Sequence, residues 1–209
     1  MDAGQKIENT LKTTIFHSCD VSVEADCIEM VEHALNLGGG KIAGLVNNAG
    51  MSLRVDFQET SLSDWDRIMS TNVRSVYHIT RLCLDGLIAA NGNVVTTSSV
   101  AGLVGQKGLA LYTASKAALF GLTQALALEY GDRVRFNAIC PGQIGTRMMQ
   151  GIMNDDARLA ATIATIPSGR LGSPEEVADV VAWLLSTASS FVNGAIIPVD
   201  GGETAGIFE

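Results

Sequence analysis

An α/β fold built on a parallel sheet is the class this sequence predicts, and three observations predict it. Short apolar runs alternate with longer segments of helical spacing. Each run ends in a turn of small, amide or acidic residues, and the order of segments reads βαβαβαβαβ. The length of 209 residues, 47% hydrophobic and 17% charged, suits one domain with a substantial core.

Taken in order, Thr13 to Cys19 reads as a strand ending at Asp20-Val21. Glu24 to Leu37 carries Ile28, Val31, Ala34 and Leu35 at helical spacing, and Gly38-Gly39-Gly40 stops that helix. Ala43 to Val46 is a second strand, running into Asn47-Asn48-Ala49-Gly50. A long helix is predicted from Ser61 to about Ile88, opened by a Ser-x-x-Asp start, with Trp65, Ile68, Met69, Val73, Val76 and Leu82 on its apolar side. Asn72 sits in its middle, where asparagine is a poor helix former and reads as a satisfied buried amide. Asn93 to Thr96 is a buried strand before Ser98-Ser99, and a helix from about Tyr112 reaches Tyr130. Arg133 to Ile139 is a further strand, ending in the turn Cys140 to Thr146. Arg147 to Arg170 is methionine-rich and irregular, with a short helix near Asp156 to Ile163, and such an insertion beside a site covers the substrate. Pro174 opens the last helix, and Ala195 to Val199 is the last strand, before Asp200-Gly201-Gly202.

The chemistry concentrates in Ser99, Tyr112 and Lys116. The four-residue spacing of Tyr112 and Lys116 puts both on one helix face, about one turn apart. A free tyrosine has a pKa of about 10 and is a poor base at neutral pH; lowering it by about 3 units needs roughly 4 kcal/mol. One ammonium about 4 Å away, at an effective dielectric of about 20, supplies a similar amount. Ser99, at the end of a strand, can face the phenol across a substrate. The combination suits acid–base work at a carbonyl or alcohol.

Bulk properties narrow the partners. The net charge is −8 with only 14 Lys and Arg, no basic block occurs, and nucleic acid or an anionic membrane is excluded as the main partner. No apolar run approaches the roughly 18 residues of a membrane span, and the polar start from Met1 to Lys6 is not a signal peptide, so a cytoplasmic location is expected. Cys19, Cys27, Cys83 and Cys140 form no C-x-x-C pair and read as reduced core thiols. His17, Cys19, Cys27 and His33 lack metal-ligand spacing, and no metal site is expected.

In this setting Asp20-Val21, Asn47-Asn48-Ala49-Gly50, Thr71-Asn72-Val73, Ser98-Ser99, Tyr112-x-x-x-Lys116, Pro141-Gly142-x-x-x-Thr146 and Val199-Asp200-Gly201-Gly202 resemble the motifs of the short-chain dehydrogenase/reductase family over the whole chain. The segment Ile166 to Glu176 is similar to the subgroup containing 3-oxoacyl-carrier-protein reductases. The resemblance implies a Rossmann-like, doubly wound parallel sheet forming a single domain over 1–209. It implies hydride transfer between NAD or NADP and an alcohol or ketone. Tyr112 would be the general acid/base, Lys116 would lower its pKa and bind the nicotinamide ribose, Ser99 would bond the substrate oxygen, and Asn72 would hold a relay water. Asp20 and Val21 would touch adenine; Asn48, Ala49 and Gly50 would line the cofactor; Pro141, Gly142, Ile144 and Thr146 would contact its nicotinamide end. A homo-oligomer, dimer or tetramer, is implied as well.

The family's first two strands and its glycine-rich pyrophosphate turn have no counterpart in the sequence, so the resemblance implies an N-terminally incomplete sheet of about five strands. The Thr13 to Cys19 strand is then expected to lie about three strand spacings, roughly 14 Å, from its neighbour, unless it slides, pairs elsewhere or comes loose. Two readings follow: an oxidoreductase, or an N-terminally truncated, non-catalytic chain that associates with full-length subunits.

Overall fold

Four parallel strands carry the fold, β1 (Gly44–Asn47), β2 (Asn93–Thr97), β3 (Arg135–Pro141) and β4 (Ile196–Val199), hydrogen-bonded in that order. The structure is a computed structural model describing residues 3–11 and 13–206, so Met1 and Asp2 of the polar start lie outside it. The register sets Val46 beside Val95, Val95 beside Asn137, and Ile139 beside Ile197. Alternation along β2 sends Val94 to one face and Val95 to the other, which is why a parallel strand covered on both sides reads as an unbroken apolar run.

Nine α-helices are described. They are α1 (Ala3–Thr10), α2 (Glu24–Leu37), α3 (Leu62–Met69), α4 (Ser75–Ala90), α5 (Val100–Leu103), α6 (Ala110–Tyr130), α7 (Gln150–Met153), α8 (Asp156–Ile163) and α9 (Pro174–Leu185). On one face of the sheet Cys27 and Val31 of α2, Ile79, Cys83 and Leu87 of α4, and Ala127 of α6 pack with Val94 and Phe136. On the other, Leu184 and its α9 neighbours Val177, Val180 and Val181 cover Val95 and Ile139. The starts of α3 and α9 are written in the sequence: Ser61 with Asp64 and Ser173 with Glu176 form capping boxes, and Pro174 occupies the first turn of α9.

Two expectations need correction. Thr13 to Cys19 is not a strand, so the sheet has four described strands rather than about five. Among the described residues it pairs with no strand; the Phe16 amide donates to Glu8 of α1 at 3.2 Å, and Cys19 and Val21 pack onto the α2–α4 core. Cys19 is thus used as covering for helices, which needs no ladder, while Ile15 is exposed. The helix predicted from Ser61 to Ile88 is present but not regular: Ser70–Arg74 forms a π-helical turn between α3 and α4, centred on Asn72. Such single turns are frequent at functional sites. All four cysteines are free thiols. His17 stacks on His33 with centroids 5.3 Å apart, and among the described residues no His, Cys, Asp or Glu cluster could hold a metal. No described helix is long and apolar enough to cross a membrane.

Asn137 joins β3 to the segment entering β4. It is 1% exposed; its Nδ2 donates to Val192 O at 2.9 Å and its Oδ1 accepts from Ala195 N at 3.0 Å. Asn137→Leu keeps the branched shape and number of side-chain heavy atoms and orphans both backbone groups, so it is expected to cost about 2 kcal/mol in chemical denaturation, and Ile139→Val about 1 kcal/mol. A loss under about 0.5 kcal/mol for the leucine variant would contradict the assigned role.

Candidate active site

The carboxyl ends of β1, β2 and β3 open onto one cavity of about 1020 Å³. In an open parallel sheet this is where a ligand fits, because the strand-end turns face away from the ladder and leave backbone groups unpaired. The lining includes Asn48 and Gly50 after β1, Ser99 after β2, Tyr112 and Lys116 of α6, and Pro141, Gly142, Ile144 and Thr146 after β3. Nine of the thirteen residues predicted from sequence therefore share one wall. Asp20, Val21, Ala49 and Asn72 are not in the lining.

Lys116 is 3% exposed, and its Nζ donates to the carbonyl of Thr97 at 2.8 Å. The same ammonium lies 5.8 Å from the centroid of the Tyr112 ring. Burial pushes the lysine down to about 8. Two of its three N–H donors have no partner among the described residues, which leaves them available to a ligand. Ser99 caps α5, its Oγ accepting from Ala101 N at 3.1 Å. Burial raises the pKa of the Tyr112 phenol, and the neighbouring Ser99 hydroxyl opposes that rise. The expected picture of a lysine that by itself depresses the tyrosine is thus modified: the lysine's one protein bond is to Thr97, and the phenol is held as the neutral acid.

Asn72 is fully buried in its π-helical turn and acts as a strut. Its Oδ1 accepts from Met51 N at 2.9 Å, and its Nδ2 donates to Met51 O at 2.9 Å and to Ser115 Oγ at 2.9 Å. Both amide donors are used, as the reading of a satisfied buried amide requires. Ser115 in turn donates to Tyr112 O at 2.7 Å, and Ser98 Oγ donates to Lys116 O at 2.8 Å, so the first turns of α6 are tied to β2 and to the loop after β1. Two glycines keep this junction open. A Cβ on Gly50 would stand 3.3 Å from Lys116 Nζ, and one on Gly142 would stand 2.8 Å from both Asp200 Cβ and Glu203 Oε2.

Asp20 closes on its own turn, its Oδ1 accepting from Ser22 N at 2.9 Å and Ser22 Oγ at 2.7 Å, which holds its carboxyl below the usual range. Val21 is spent on the α2–α4 core. Sequence reading missed Thr97, Met51 and Ser115, which position the named residues. Thr97 and Met51 act through backbone atoms, which any side chain supplies. Ser115 is legible only as a small polar residue between Tyr112 and Lys116. Also missed were Arg54, Arg147 and Arg158 in the cavity wall.

A parallel sheet with a ligand cavity at its strand ends is an open α/β binding scaffold, and its relatives identify the family. Residues 1–204 match the family model described as Enoyl-(Acyl carrier protein) reductase. The chain is 42% identical over 172 residues to meso-2,3-butanediol dehydrogenase of Serratia marcescens, covering 79% of this chain and 66% of that one. It is 40% identical over 165 residues to the 3-oxoacyl-[acyl-carrier-protein] reductase of Thermotoga maritima, covering 78% and 66%. The matches span about two thirds of the length of these two relatives. Among solved structures, ElxO with NADP bound superposes with a TM-score of 0.88 at 27% identity, covering 97% of this chain and 84% of that one. The chain belongs to the short-chain dehydrogenase/reductase family.

A lysine pushed down to about 8 disfavours folding below that pH, and the penalty is relieved as pH rises from about 8 towards the unfolded value near 10.5. Between pH 7 and 9 the wild type is therefore expected to gain about 1 kcal/mol relative to Lys116→Met, measured by urea unfolding of both. A difference that does not change with pH would show that Lys116 is not held in this environment.

Proposed function

We propose that the chain is an oxidoreductase that moves a hydride between NAD or NADP and a small alcohol or ketone, with Tyr112 as general acid/base. The observation that carries this reading is the shared cavity wall of Ser99, Tyr112 and Lys116, with the buried ammonium 5.8 Å from the centroid of the phenol ring.

The residues fit the nicotinamide end of a dinucleotide. Gly50 leaves open the space beside Lys116 Nζ that a Cβ would fill, and Lys116 has two N–H donors to offer ribose hydroxyls. Asn48, Pro141, Ile144 and Thr146 would line it. The dinucleotide supplies or accepts the hydride. In reduction, the substrate carbonyl accepts hydrogen bonds from Ser99 Oγ and Tyr112 O–H, and the Tyr112 proton passes to that oxygen as negative charge develops there. In oxidation Tyr112 takes the proton back, and an ammonium about 4 to 6 Å away offsets roughly 3 to 4 kcal/mol of the cost of a buried phenolate at an effective dielectric of about 20. Asn72 is a positioning residue in this scheme, holding the Gly50-Met51 turn against α6. Association into a homo-oligomer belongs to the same reading, supported by Tyr77 on α4 and Leu128 on α6, which are 52% and 90% exposed.

Tyr112→Phe removes the hydroxyl with its transferable proton and keeps the ring, so turnover is expected to fall by about 10² to 10⁴, with reduced-nucleotide binding within a few fold of wild type. Rates would be followed by nicotinamide absorbance with matched ketones. A Phe variant of full activity would remove Tyr112 from the chemistry.

A further inference from the structure

The chain carries 22 Asp and Glu against 14 Lys and Arg, yet the charged side chains in the cavity wall are Arg54, Lys116, Arg147 and Arg158, with no carboxylate among them. None of the three arginines is in an ion pair among the described residues. They come from separate parts of the fold. Arg54 lies on the loop after β1, where its Nη1 donates to Lys107 O at 2.8 Å just before α6, while Arg147 and Arg158 lie on the segment after Thr146. A protein of net charge −8 repels anions at long range, and a wall of one positive sign reverses that field locally.

We infer that the substrate is an anionic carbonyl compound, a carboxylate or phosphate ester, whose charged group is held by Arg54, Arg147 and Arg158. This inference rests on the proposed hydride transfer at Tyr112. A guanidinium presents a planar fork that matches a carboxylate or phosphate with two parallel N–H bonds. Lys116 donates to Thr97 and its two remaining donors are assigned to the ribose hydroxyls, so the arginines are the groups left to read the charge. Met148, Met149 and Ile152 line the same wall and would cover the apolar part of the molecule. The same cations could instead serve the phosphates of the dinucleotide, and the experiment separates the two sources.

The full chain would be assayed with straight-chain 2-oxo and 3-oxo acids and with their methyl esters, which exchange the negative charge for one methyl group. The expected result is at least a tenfold preference in kcat/KM for the acid of the best pair, weakened by added salt. In Arg158→Gln and Arg54→Gln that acid-to-ester ratio is expected to fall about tenfold. Binding of the same pairs to the nucleotide-free chain, followed by tryptophan fluorescence, gives a second readout that needs no turnover. If neither member of any pair is turned over but the acids alone bind, and the arginine variants abolish that binding, the hydride-transfer reading fails and the anion site stands. Equal handling of acid and ester in both assays, or variants that weaken only the binding of NADH and NADPH, would overturn the inference.

Discussion

A lysine ammonium that is 3% exposed must find its acceptor inside the protein, and Lys116 finds the Thr97 carbonyl at 2.8 Å. That bond joins the second turn of α6 to the last residue of β2. The rest of the site follows from it. Ser98 and Ser115 tie the backbone of the same helix turns, Asn72 braces Ser115 against Met51, and the glycine at 50 leaves the lysine's remaining donors facing open space. Without an internal acceptor a buried ammonium would be costly enough to swing outward or lose its proton.

The pattern of helices and strands was largely legible because period and punctuation agreed with the fold. Glu24 to Leu37 and Asp156 to Ile163 are helices with the bounds their spacing indicated, and the capping boxes at Ser61 and Ser173 are local signals that survive any tertiary context. What failed was long-range. Thr13 to Cys19 has the composition of a strand, but a strand also requires a neighbour, and composition says nothing of neighbours. The π-helical turn at Asn72 is likewise invisible as a period, since its cause is the reach of one amide to Met51 and Ser115 in other segments.

The site divides the same way. Residues that act through their own side chains, Ser99, Tyr112 and Lys116, were readable from type and spacing. Those that act through backbone, Thr97 and Met51, were not. Asp20 and Val21 were carried over from the family resemblance, and here they close a turn and fill a core, outside the cavity wall. The arginines escaped notice because they are far apart in the chain; only folding shows that they share a wall with no carboxylate.

The central claim is that this wall accepts a nicotinamide dinucleotide with Lys116 as its anchor. Titration of NADH and NADPH into the 209-residue chain, read by energy transfer from tryptophan to the reduced ring, tests it most directly. The account predicts saturable binding of at least one of the two, weakened tenfold or more by Lys116→Met. No saturable signal from either dinucleotide at millimolar concentration would contradict it.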